Sequence, residues 1–209
     1  MQSAAQSTIP APAQRTTQPW LDTARNELGE VICYAALEEI VGAVLPAKRV
    51  RHKEIPQLMS RGMDALGLVH DPQAAHELRI YLSETKASSS TQSPPGVVDQ
   101  TDDSLHVQLR DAVHKRTRVT SELARALKYT DGTHRDLVAR AIVLWAKDDL
   151  ATTVVPFLLR PRDKHGAGDF GAFRANPSAY APAHVAFCLV RVDGTIEALA
   201  QAVYQRARA

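Results

Sequence analysis

Between Lys86 and Asp103 the chain reads KASSSTQSPPGVVDQTDD, a run of serines, a Pro-Pro-Gly break and then acidic residues. Such a stretch has little to bury, and its prolines and glycine interrupt helix and strand alike. It separates two stretches that do carry apolar patterns. The expectation is two lobes, over residues 20–85 and 104–209, joined by an exposed linker at 86–103.

With 209 residues the chain is long enough for one large domain or two small ones. Its hydrophobic share of 44%, beside 23% charged residues, is that of a folded protein rather than a disordered one. Aromatics are only 5%, and Ala, Leu and Val supply most of the apolar surface, which favours packed helices over a large sheet. The fold class expected is mainly α, two helical lobes, with a short two-stranded β element near the C-terminus.

Residues 1–19 are mostly Gln, Ser, Ala, Thr and Pro and are expected to form a flexible arm. A helix then opens at Trp20 and runs to about Leu45, where Pro46 stops it. A basic loop over 47–54 leads to a helix from Ile55-Pro56 that carries Leu58, Met59, Met63 and Leu66. Asp71-Pro72 reads as the cap of a third helix with Ala75, Leu78, Tyr81 and Leu82 on one side. In the second lobe, helices are expected over 103–115, over 121–129 and from Thr133, where Thr133-His134-Arg135-Asp136 approximates a capping box. After Asp149, TTVVPFLL and HVAFCLVRV suit strands, and Asp193-Gly194 turns the chain into a helix over 195–206.

The net charge of +2 is too mild to indicate a polyanion partner on its own. Its distribution is more informative. Basic residues gather at Lys48, Arg49, Arg51 and Lys53, at Arg110, Lys115, Arg116 and Arg118, and at Arg160, Arg162 and Lys164. Several such side chains on one surface would neutralise phosphates. Residues 121–143 also have the outline of a helix-turn-helix, which would present Arg135 from the start of its second helix. These twelve residues are the candidate nucleic-acid contacts.

Gly166, Gly168 and Gly171 spell G-x-G-x-x-G, but no strand ends at the first glycine, and Pro177 and Pro182 fall where the following helix should be. A mobile glycine loop is the preferred reading. The eight histidines and two cysteines show no ligand spacing for zinc, so neither a metal nor another cofactor is expected. His184 and Cys188, four residues apart on a strand, are about 13 Å from each other, too far for a base to activate a nucleophile. Neither G-x-S-x-G nor a phosphate loop occurs.

The function expected is therefore non-enzymatic nucleic-acid binding, regulatory or of a packaging or coat type. A self-associating scaffold or adaptor is the alternative, and an enzyme without a linear motif is a third reading. The expected partners are DNA or RNA and further copies of the chain, with no membrane, since Glu38 and Glu39 interrupt even the apolar run at 31–45. Cys33 and Cys188, each inside an apolar run, fit buried thiols in the cytoplasm or another reducing compartment.

Overall fold

A computed structural model of the chain describes residues 19–48, 63–72, 76–130 and 132–208. Residues 1–18 of the arm expected at 1–19, the basic loop from residue 49 and the start of the helix expected at Ile55 lie outside the described residues, and Pro19 already belongs to the first helix. The architecture is mixed α/β, which overturns the mainly helical, two-lobed expectation. Five strands form one mixed sheet: β1 (Ala65–His70), β2 (Leu78–Ala87), β3 (Ala151–Pro161), β4 (His184–Val185) and β5 (Cys188–Val192). β1 is antiparallel to β2, β2 is parallel to β3, and β4 and β5 lie in succession along the other edge of β3, both parallel to it. Strands from both sides of the polar segment thus share one hydrogen-bonded sheet, so each half completes the other's core.

Helix α1 (Pro19–Val41) packs on β1, β2 and β3 over one face, together with α7 (Ile196–Arg208). The other face carries α3 (Leu105–His114), α4 (Arg116–Tyr129) and α5 (Gly132–Ala146), reached through the short α2 (Gly96–Asp99). The β2–β3 crossover passes through these helices, as a parallel connection requires. A second crossover, from β3 to β4, contains α6 (Gly171–Ala175) and a 3-10 turn at Pro177–Tyr180.

The segment read as a helix after Asp71 is β2. Leu78, Ile80 and Leu82 are buried against the α3–α5 side, while Arg79 and Tyr81 between them are only half-buried. That alternation has the strand period of two. Leu66, expected in a helix, lies with Leu68 in β1 on the same face. The two apolar runs expected near the C-terminus do form strands, but as parallel members of the larger sheet. β3 is buried from Thr153 onward on both faces, as a central parallel strand demands. Composition misled here because the strands are built mostly from Leu, Val, Ile, Ala and Thr and hold few aromatics.

Helix α1 ends at Gly42 rather than at Pro46. Gly42 adopts φ +70°, and the N–H of Ala43 returns to the carbonyl of Leu37 at 3.0 Å. The helices expected across 103–146 and after Gly194 are present with shifted ends. Within the expected linker, Ala87 closes β2, Ser88 is buried and Val98 is fully buried.

Candidate functional site

One face of β2 reads Leu78, Ile80, Leu82, Glu84, Lys86, so an apolar stripe turns charged toward the carboxyl end of the strand. That end lies level with the later part of β3 and with β5, and in open sheets of parallel strands the carboxyl ends are where ligands gather. The β1–β2 register pairs Ala65 with Ser83. Asp64 is the residue just before β1, and the same register carried one step further would bring it opposite Glu84. Side chains so placed have Cβ atoms about 5 Å apart. The Thr85 N–H donates to Asp64 Oδ2 at 2.7 Å and fixes the carboxylate there. Asp64 is 7% exposed and Glu84 is 2% exposed, so two acidic groups near the same end of β2 lie out of water. Such a pair is costly unless positive charge answers it.

Helix α4 supplies that charge. Arg118 Nη2 donates to Glu84 Oε1, and its Nη1 donates to the Gln108 carbonyl of α3 at 3.1 Å. One turn on, Glu122 accepts the Met63 N–H at 3.3 Å and meets Arg125 at 3.7 Å. A shallow cleft there is lined by Met63, Asp64, Glu122 and Arg125. Lys86 Nζ donates to Asp103 Oδ2 at 2.9 Å, just before α3. The Lys86 hydrogen bond, then one from Thr101, holds the Asp103 carboxyl below its usual range. Gln108 Nε2 donates to the Asp103 carbonyl at 2.6 Å. Glu84, Arg118, Gln108, Asp103 and Lys86 thus form a continuous polar chain around the open end of β2.

On the opposite face of the sheet, α1 is seated close to the same strand end. A Cβ on Gly29 would stand 2.9 Å from Thr85 Cγ2, and Cys33 Sγ donates to Ser83 Oγ at 3.3 Å. Burial pushes the Cys33 thiol up to about 12, and it raises Cys188 as well, so both remain thiols as their apolar surroundings implied. Glu27 and Glu30, neighbours of Gly29 along α1, are buried, and Tyr34 donates to Glu30 at 3.4 Å.

The structure separates the basic residues singled out from the sequence. Arg49, Arg51 and Lys53 lie outside the described residues. Lys48 pairs with Glu38 at 2.7 Å, Lys115 with Asp111 at 2.6 Å, and Lys164 with Asp163 at 3.1 Å. Arg116 lies over the Trp145 ring and reaches Asp148, and Arg135 donates to the Leu127 carbonyl at 3.4 Å. Arg110 is exposed on α3. Arg162 pairs with Asp193 at 2.6 Å, which raises the arginine and lowers the aspartate from their ordinary values. Arg160 is fully buried: it meets Asp169 at 3.1 Å and donates to the carbonyls of Ser90, Gln92 and Lys164. It therefore holds loops and presents no surface to a polyanion. Of the nine that are described, Arg118 alone joins the carboxylate site.

The glycine motif is also structural. Cβ atoms on Gly166 and Gly168 would meet Ser93 at 2.7 and 3.2 Å, and Asp169 accepts from Ser93 Oγ at 2.8 Å and from the Gly166 N–H at 3.1 Å. These glycines let two loops touch, with Asp169 tying the segment to Ser93. Among the described residues no three His, Cys, Asp or Glu side chains form a metal-holding group, and no helix is long and apolar enough to cross a membrane.

Asp64, Glu84 and Lys86 were missed by sequence reading. Their signal is a strand pattern whose apolar positions, two residues apart, pass without a break into Glu-x-Lys. Reading Leu78 to Leu82 as a helix hid the continuation, and taking Lys86 as the start of a linker cut the motif in two. No curated protein matches the chain. A family model does match it, that of HamA, over residues 3–141, a span that includes Asp64, Glu84, Lys86 and Arg118.

Proposed function

The chain belongs to the HamA family, and from the charged residues at the carboxyl end of β2 we propose that it is a divalent-cation-dependent phosphodiesterase acting on nucleic acid, with Asp64, Glu84 and Lys86 as its working residues. This replaces the non-enzymatic role expected from sequence and retains DNA or RNA as the partner. The observation that carries the reading is that the buried carboxylate of Asp64 is held at 2.7 Å on the backbone N–H of Thr85, next to the buried Glu84, with a lysine two residues beyond Glu84 along the same strand.

The donor set fits a hard cation. Magnesium and manganese take one or two carboxylates and leave their other positions to water and substrate phosphate, so a pair of carboxylates is suitable. Glu84 already binds the positive Arg118, which marks the position as one that draws cationic charge. Asp64 and Glu84 would hold such a cation, which would supply the Lewis acidity that phosphodiester hydrolysis near neutral pH requires. Lys86 lies about 7 Å along the strand from Glu84, within reach of a phosphate seated at the pair. Its ammonium offers three donors to a phosphoryl oxygen as negative charge builds there. Asp103, on the exposed side of Lys86, holds that ammonium until substrate competes for it.

The test is cleavage of single- and double-stranded DNA and RNA by the full chain with Mg2+ or Mn2+, beside a chelator control. Glu84→Gln and Asp64→Asn are expected to lower cleavage by about 100-fold or more, and Lys86→Ala by about 10- to 1000-fold, with folding retained by circular dichroism. Salt-sensitive binding without cleavage would return the protein to the non-enzymatic reading. Cleavage that survives all three substitutions would reject the site.

A further inference from the structure

Resting on the proposed cation site, we infer that Arg118 is the resident counter-cation of Glu84: a positioning residue that yields the carboxylate to the divalent ion and turns to the substrate phosphate. Three observations carry this. Arg118 Nη2 is bonded to Glu84 Oε1, so a cation held by Glu84 would meet the guanidinium at the same carboxylate. Nη1 of the same group is held separately by the Gln108 carbonyl at 3.1 Å, which gives the guanidinium a pivot that survives loss of Glu84. The Arg118 side chain is 26% exposed whereas that of Glu84 is 3% exposed, so the arginine spans from the buried carboxylate to solvent, where a polyanion arrives.

Two positive groups beside one carboxylate oxygen repel at short range in a poorly hydrated site. Cation binding therefore drives Nη2 away from Oε1. The freed edge of the guanidinium is a planar donor suited to a phosphate, and only the cation-loaded site offers it. Cation and nucleic acid consequently bind with positive coupling, each making room for the other.

The test uses the full chain, Mn2+ titrated by calorimetry, and a phosphorothioate DNA oligonucleotide as a slowly cleaved probe. Arg118→Gln removes the competitor and is expected to bind Mn2+ about tenfold more tightly, inside the roughly 5- to 150-fold range usual for linked sites. The same variant should lose most of the Mn2+-dependent gain in oligonucleotide affinity, while Arg118→Lys should stay close to the parent in Mn2+ affinity. Mn2+ binding that is abolished by Glu84→Gln but unchanged or weaker in Arg118→Gln overturns this inference and leaves the proposed function standing. Absence of Mn2+ binding from both the parent and Arg118→Gln, or binding indifferent to Glu84→Gln, overturns both. If Arg118→Gln fails to fold, the Arg118 guanidinium resonance of the parent decides: movement on adding Mg2+ supports the exchange of partners, and a stationary signal rejects it.

Discussion

The Tyr180 hydroxyl stands 2.6 Å from Nδ1 of His106, and Phe173 stacks on the tyrosine ring with centroids 5.0 Å apart. Burial, reinforced by the charge of Arg110 and opposed by Asp99, lowers His106 from its ordinary value of 6.5, and burial raises Tyr180. Both shifts favour a neutral imidazole that accepts the hydroxyl proton of a neutral phenol. Folded His106 is harder to protonate than unfolded His106, so below pH 6.5 the unfolded chain holds more protons. The contribution is complete above pH 6.5 and is lost as pH falls through the window just beneath it. The melting temperature is expected to drop between pH 7 and pH 5.5, and His106→Gln to flatten that part of the profile relative to the parent. Parallel profiles for the two proteins would show that the imidazole does not set the response.

Among the elements, α1 and β2 show how a helix position can reverse its usual preference. Gly29 sits inside a 23-residue helix, where alanine is ordinarily better by about 0.5–1 kcal/mol. Here an added Cβ would stand 2.9 Å from the short side chain of Thr85, itself between Glu84 and Lys86. Gly29→Ala is therefore expected to destabilise the protein by about 1–3 kcal/mol in urea unfolding, the range for overpacking, and to lower cleavage by displacing β2. A stabilised variant would mean that the two elements part easily. The same pair marks the limit of sequence reading. The helices at 105–114, 116–129 and 132–146 were legible because their apolar residues recur with helical spacing between polar turns. β2 was not, because Leu78, Tyr81 and Leu82 satisfy a helical spacing while Leu78, Ile80 and Leu82 satisfy the strand period. Only the partner settles such a tie, and β3 lies about 70 residues away in register, from Arg79 with Ala151 to Ala87 with Leu159. Asp64 was illegible for the same reason: its relation to Glu84 exists only once β1 and β2 pair. The basic clusters were plain in the sequence, but the carboxylates, lysines and carbonyls that answer them were not.

For the molecule as a whole, the polar segment between β2 and α3 is a hinge in composition but not in structure. Arg160 on β3 donates to the Ser90 and Gln92 carbonyls inside it, Ser93 donates to Asp169, and Lys86 meets Asp103 across it. Arg25 of α1 pairs with Glu197 of α7 at 3.1 Å and donates to the Ala87 carbonyl at 3.1 Å, joining the start and end of the described chain to the middle strand. Cutting at the segment would strip β3 of β2 on one edge and leave β1 and β2 as a two-stranded ribbon, which is marginal in water. It would also expose Leu78, Ile80, Leu82, Leu109, Leu123 and Val154, all now at 1% exposure or less. Fragments 1–103 and 104–209 are accordingly expected to be unfolded or aggregated separately. The intact chain should unfold in one transition, with far-ultraviolet dichroism and amide exchange of β2 and β3 giving the same midpoint. A 104–209 fragment that melts cooperatively by itself would restore the two-lobed arrangement. It would also detach the proposed site from half of its support, because Asp64, Glu84 and Lys86 come from the first fragment whereas Arg118 comes from the second.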